Sequence, residues 1–131
     1  MVNKLSGLAV TAFLAEKIKD LRIAVIGDVM LDRYFHGEVK RISPEAPVPV
    51  TKINRVKSVL GGATNVAANL AHLECKVFMG GVSGDDDNRV LLERLMDEAD
   101  IDYTGLVKSD KRKTITKLRV IGGTQQMLRL D

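Results

Sequence analysis

The residues of this 131-residue chain with the types and spacing for chemistry lie in two short strings. Gly61-Gly62-Ala63-Thr64-Asn65 stands where an apolar helical pattern begins. Paired glycines let a ligand approach the backbone closely, and a helix N-terminus offers amide donors without partners inside the helix, a combination suited to hydroxyls or anions. Glycines before a helix also serve as plain turn or capping residues, so this string alone leaves both readings open. Gly27-Asp28-Val29-Met30-Leu31-Asp32 places two carboxylates just beyond the apolar run Ile23-Ala24-Val25-Ile26. Ligands of open α/β sheets bind beyond the C-terminal ends of strands, and ionised carboxylates accept hydrogen bonds from hydroxyls. Taken singly, an Asp28 that caps a turn and a solvated Asp32 explain the same residues. The glycine string beside them favours a ligand.

The elements that must position these groups follow from apolar periodicity. Leu5, Leu8, Ala9, Ala12, Phe13, Leu14, Ile18 and Leu21 predict an amphipathic helix over residues 5–21. Residues 22–27 predict a first buried core strand that ends at a Gly-Asp pair. Between residues 32 and 53 polar and apolar residues alternate, and Pro44, Pro47 and Pro49 each lack the donor that a central strand requires, so these strands are edge or peripheral ones. Val66, Ala67, Leu70, Ala71 and Leu73 mark one face of the helix that the glycines open. Residues 75–82 predict a second buried strand, with Cys75 a buried strand residue. Asp85-Asp86-Asp87 suits the positive N-terminal end of a helix carrying Leu91, Leu92, Leu95 and Met96. Gly105 and the charged residues 108–113 predict a loop, which leads to a hairpin over 114–131 turning at Gly122-Gly123. Alternation in that hairpin puts Lys117 and Arg119 on one face and Arg129 on the other. The order of elements predicts an α/β core with a small β-sheet set apart from it.

Composition narrows the function. With 45% hydrophobic residues the chain can build one core and is short for two domains. Twenty basic against 17 acidic residues give an excess too mild to demand nucleic acid. The cluster Lys108, Lys111, Arg112, Lys113, Lys117 and Arg119 has no aromatic residue interleaved for base stacking. The longest uncharged run, residues 58–73 with histidine neutral, falls short of the roughly 20 apolar residues of a membrane span. The first residues lack the apolar core and cleavage site of a signal peptide, so a cytoplasmic protein is expected. One cysteine excludes an intrachain disulfide, and with only His36 and His72 beside it no metal-ligand spacing arises. Both histidines are expected to be structural.

Gly61, Gly62, Asn65, Ala67 and Gly84 fall at the spacing of the N-terminal signature of the ribokinase (PfkB) family of carbohydrate kinases, which the sequence resembles over nearly all of residues 22–131. One position departs: Glu74 stands where that signature has Gly or Ser. Within the family, Gly27-Asp-Val-Met-Leu-Asp-Arg-Tyr34, Arg41-Ile-Ser-Pro-Glu-Ala-Pro-Val-Pro-Val50, Thr114-Ile-Thr-Lys-Leu-Arg-Val120 and Leu128-Arg-Leu-Asp131 look like the heptose 7-phosphate kinases. The resemblance implies the N-terminal part of a three-layer α/β sandwich with a small β-sheet lid, one partial kinase domain over residues 1–131, its lid strands near 32–55 and 114–131. It implies that Asp32 binds sugar hydroxyls, that Gly61, Gly62 and Asn65 complete the sugar pocket, and that Asp28 is a further contact.

A substrate that already carries a phosphate needs a cation for it. Lys117 and Arg119 are the first candidates, with Arg41 a further one, although charges on an exposed strand also serve to solubilise a sheet edge. The family's catalytic aspartate belongs to a second signature, Asp-Thr-x-Gly-Ala-Gly-Asp, which this sequence lacks. Gly81-Val-Ser-Gly84-Asp85 imitates it, but its place is taken by the end of the N-terminal signature, so Gly84 reads as a turn and Asp85 as a helix cap. Neither a phosphate-binding P-loop nor a Gly-x-Gly-x-x-Gly fingerprint is present, so ATP and Mg²⁺ are expected to bind elsewhere in a longer protein, and the last strand reads as a cut. The resemblance thus implies the sugar-binding half of a kinase acting on the anomeric oxygen of a heptose 7-phosphate, a step toward ADP-heptose for lipopolysaccharide, in a homodimer joined by lid strands. The alternatives are a family kinase for another sugar and a non-catalytic binding or dimerisation module.

Overall fold

The computed structural model describes residues 7–131, without the side chain of Leu14. The part of the expected first helix that rests on Leu5 and on that side chain lies outside the described residues. The remainder forms α1 (Gly7–Glu16) and a single 3-10 turn, Ile18–Asp20. Among the described side chains of this segment only Ile18 is buried, while Leu8, Val10 and Phe13 face solvent, so these three do not bury the apolar stripe the sequence suggests. No described helix is long and apolar enough to cross a membrane.

Three parallel strands make the first sheet in the order β1 (Arg22–Ile26), β4 (Lys76–Ser83), β5 (Ile101–Lys108). Helices α2 (Ala63–His72) and α3 (Asp87–Glu98) pack on it, and Ala67, Val77, Met79, Leu92, Met96, Ile101 and Leu106 form one core cluster. The β1 run is less enclosed than its composition suggests. Ile23 and Val25 pack on the core, but Ala24 and Ile26 lie on the other face and are exposed. Where Gly105 in the sequence predicts a loop, the structure has strand β5. It is a strand because Ile101 and Leu106 reach the core while the residues between them stay half-open on the sheet edge.

The second sheet has the order β3 (Pro49–Gly62), β2 (Val29–Ile42), β6 (Ile115–Gly122), β7 (Gln125–Leu130). The proline-bearing β3 lies at its edge, as the missing donor of proline requires. Strand β2 leads the chain from the first sheet into the second. Its first residues, Val29, Met30 and Leu31, are buried with Leu60 of β3, and both strands then run outward as a lid. Thr114, just before β6, fixes the other lid hairpin to the core: its amide donates to Asp86 Oδ2 at 2.8 Å and its hydroxyl accepts from Gly84 N at 3.0 Å. Asp86, not the expected Asp85, caps α3, accepting from Arg89 N at 3.0 Å. Burial opposes the charge of Asp86, but the hydrogen bonds from Thr114 and Arg89 outweigh it and hold the carboxyl below its ordinary range. Asp85 pairs instead with Lys108 at 2.7 Å.

The β6–β7 hairpin corrects the sequence reading in two ways. Gly122 pairs with Gln125, so the turn is Gly123-Thr124, one residue later than expected. A register shift between Val120 and Ile121 then brings Arg129 opposite Arg119. Residues opposite each other in an antiparallel pair share a face, so Arg129 stands with Lys117 and Arg119 rather than behind them. Glu74, the departure from the family signature, has φ 67°, in the left-handed region. Such a backbone strains a side-chain-bearing residue by roughly 1–2 kcal/mol, which is why glycine suits that helix-to-strand turn.

Candidate functional site

The site lies where β2 and β3 leave the core. Gly62 has φ 55° and caps α2, and the Ala63 amide donates to the Asp28 carbonyl at 2.9 Å, which binds the helix start to the turn between β1 and β2. The buried hydroxyl of Thr64 donates to the Gly61 carbonyl at 2.6 Å and lies 3.2 Å from that of Met30. The first turn of α2 is thereby pinned to both strands, and its next amides keep the free donors of a helix N-terminus.

Asp32 follows two residues beyond Met30 on β2. A Cβ placed on Gly61 would stand 2.9 Å from the Asp32 carboxyl carbon and from Oδ2, so the carboxylate occupies the space that a side chain at 61 would fill. Asp32 Oδ1 accepts from Arg119 Nη1 at 3.2 Å, the same nitrogen donates to the Tyr34 hydroxyl at 3.4 Å, and the guanidinium carbon Cζ lies over the Tyr34 ring. The pair is about one-fifth exposed on each side, and among the described residues Oδ2 has no hydrogen-bond donor.

Registers across the lid arrange these groups in rows. Val59, Asp32 and Lys117 are lateral neighbours on β3, β2 and β6. The next row outward is Lys57, Tyr34, Arg119 and Arg129. Asp131 returns to Arg129 with both oxygens, at 2.9 and 2.6 Å. That guanidinium holds the Asp131 carboxyl below its ordinary range, and Lys117 and Arg119 act in the same direction. Arg129 is in turn raised, chiefly by Asp131 and to a smaller degree by Asp32.

Of the residues singled out in the sequence, Asp32, Gly61, Lys117 and Arg119 come together on this face. Gly62 lies beside them as the helix cap. Asp28 is exposed at the turn between β1 and β2, and Asn65 is exposed on the first turn of α2. Arg41 sits nine residues beyond Asp32, about 30 Å along an extended strand, and the structure does not bring it to the site. Tyr34, Thr64, Lys57 and Arg129 were not anticipated there. The -Thr-Asn- after the glycines was the available signal for Thr64, since a hydroxyl at a helix start commonly bonds nearby backbone.

A model of the pfkB family of carbohydrate kinases matches residues 20–129. The chain belongs to this family. The family fold is also that of solved structures: a carbohydrate kinase from Agrobacterium tumefaciens superposes with a TM-score of 0.67 at 18% identity, over 84% of this chain and 34% of that one. A nucleoside kinase from Methanocaldococcus jannaschii, an archaeal member of the ribokinase family, gives 0.62 at 22%, over 83% and 36%. Among curated pfkB relatives, the D-beta-D-heptose 7-phosphate kinase of Bordetella bronchiseptica is 50% identical over 89% of this chain, and the bifunctional protein HldE of a Marinomonas species is 50% identical over 86%. The chain spans 37% of the first of these relatives and 24% of the second.

Proposed function

We propose that this pfkB chain is the sugar-binding half and lid of a kinase that transfers the γ-phosphoryl group of ATP to the anomeric oxygen of D-glycero-D-manno-heptose 7-phosphate. The observation that carries the reading is the Asp32 carboxylate lying over Gly61 at the N-terminus of α2, beside Lys117 and Arg119. Asp32 Oδ2 accepts sugar hydroxyls, Gly61 and Gly62 let the ring approach the backbone, the α2 amides and Asn65 bond its oxygens, and Asp28 borders the same opening. Lys117 and Arg119 hold the 7-phosphate. Identity of 50% to a relative named for this substrate, across 89% of the chain, favours a heptose phosphate over another sugar.

Among the described residues no three His, Cys, Asp or Glu side chains converge as metal ligands. The signature that carries the family's catalytic aspartate does not occur in residues 1–131, and this reading gives no residue here a role toward the nucleotide, its Mg²⁺ or the base. In this reading the reaction draws on cytoplasmic ATP and contributes to the supply of ADP-heptose.

The test is a calorimetric titration of this chain with heptose 7-phosphate, with ribose as competitor. Saturable binding that ribose displaces only weakly is expected. Binding of ribose in preference to the heptose phosphate would move the chain to another sugar, and no heat from a folded chain would overturn the reading.

A second reading has support of its own and is compatible with the first. Val56, Leu128 and Leu130 are about half exposed on the lid face opposite the site, where Phe35, Leu118 and Val120 are their sheet neighbours. We infer a homodimer that covers this apolar face with the lid of a second copy. Sedimentation equilibrium is expected to show concentration-dependent dimers; a monomer at millimolar concentration would exclude them.

A further inference from the structure

The kinase reading gives the far phosphate to Lys117 and Arg119, yet these two stand in different rows, and Arg119 is already bonded to Asp32. The row that contains Arg119 has three cations. Lys57, Tyr34, Arg119 and Arg129 follow one another across all four lid strands, on the face that carries Asp32. Neighbouring strands lie about 4.8 Å apart, so the row runs roughly 14 Å across the sheet, and it stands two residues, about 7 Å, outward from Asp32. Like charges directly opposite in an antiparallel pair repel, and Arg119 faces Arg129 in that way. Asp32 and Asp131 relieve part of the repulsion. Lys57 is exposed and has no carboxylate partner among the described residues. With Lys117, four cations meet two carboxylates, an excess matched to one phosphate dianion.

We propose, resting on the sugar-kinase reading, that the cross-strand row Lys57–Tyr34–Arg119–Arg129 selects for a phosphorylated sugar by receiving its phosphate while Asp32 holds its hydroxyls. Tyr34 is the floor of the row: its ring supports the Arg119 guanidinium at 5.2 Å, and its hydroxyl orients it. Arg129 and Lys57 close on the phosphate from opposite edges of the lid. Two guanidiniums on one anion give the directional, charge-assisted bonds that an ammonium alone does not. Recognition is therefore divided: Asp32 of the inner row reads the hydroxyls, while the outer row, with Lys117 beside it, reads the phosphate.

The experiment titrates this chain with heptose 7-phosphate and with the same heptose lacking the phosphate, for the wild type, Arg129→Gln and Lys57→Gln. The wild type is expected to prefer the phosphorylated sugar. Each variant should lose about tenfold in affinity for it, the loss of one charged hydrogen bond, with no change for the unphosphorylated sugar. Added salt should erode the preference in parallel. Variants that weaken both sugars alike would overturn the row and leave the kinase reading standing, whereas binding of both sugars with equal affinity by the wild type would overturn the row together with the Lys117 and Arg119 phosphate contacts and leave a kinase for an unphosphorylated sugar. Failure of the folded wild type to bind either sugar would overturn the kinase reading and the row with it. The two substitutions lie on opposite edge strands, so misfolding of one leaves the other to decide.

Discussion

Asp32→Asn is expected to weaken sugar binding by about 100-fold or more while the chain stays folded. A hydrogen bond to a charged group contributes about 1.5–3 kcal/mol, and a carboxylate aimed at two sugar hydroxyls makes two of them, whereas the amide keeps one acceptor and no charge. The structural cost is smaller. The Asp32–Arg119 pair is partly open to water, and such pairs contribute about 1 kcal/mol at most. Calorimetric titration reads the first effect and thermal unfolding the second. If the amide lowered the melting temperature sharply and left binding intact, Asp32 would be a counter-ion of Arg119 and nothing more. That outcome would remove the centre of the site.

The same pair shows what sequence could and could not reveal. Asp32 was visible because two carboxylates follow a short apolar strand, and the pattern of strand, turn and glycine-opened helix is local. Its partner Arg119 is 87 residues away and reaches it through parallel pairing of β2 with β6, for which no local signal exists. Arg129 was placed on the wrong face for a related reason. Side chains alternate with period two, so a single irregularity between Val120 and Ile121 exchanges the faces of everything beyond it. Strand β5 was missed because it covers the core at Ile101 and Leu106 with Gly105 between, a pattern that reads as a loop until a neighbouring strand supplies its hydrogen bonds. The edge position of β3, by contrast, was legible, since proline forbids a central strand whatever its neighbours are.

Substitution of the two adjacent glycines by alanine is expected to separate folding from binding. At Gly62 the backbone has φ 55° and ψ −132°, which a side-chain-bearing residue adopts at a cost of about 1–3 kcal/mol. The new Cβ would also stand 2.7 Å from the Asp28 carbonyl oxygen, which cannot retreat without breaking its bond from the Ala63 amide, and overpacking of this kind adds about 1–3 kcal/mol. Against a total stability of about 5–15 kcal/mol, Gly62→Ala should lower the melting temperature by roughly 10 °C or more. Gly61 has no such backbone constraint. Its Cβ would meet the Asp32 carboxyl at 2.9 Å and Met30 Cγ at 3.1 Å, both in side chains able to turn aside. Gly61→Ala should therefore keep most of the stability but push the Asp32 carboxylate off the strand, and with it the hydroxyl acceptor and the partner of Arg119. Unfolding followed by circular dichroism, paired with titration of the sugar, distinguishes them. Equal melting temperatures for the two variants would show that the Gly62 backbone carries no strain that glycine relieves, and undiminished binding by Gly61→Ala would show that the carboxylate does not need the space the glycine leaves.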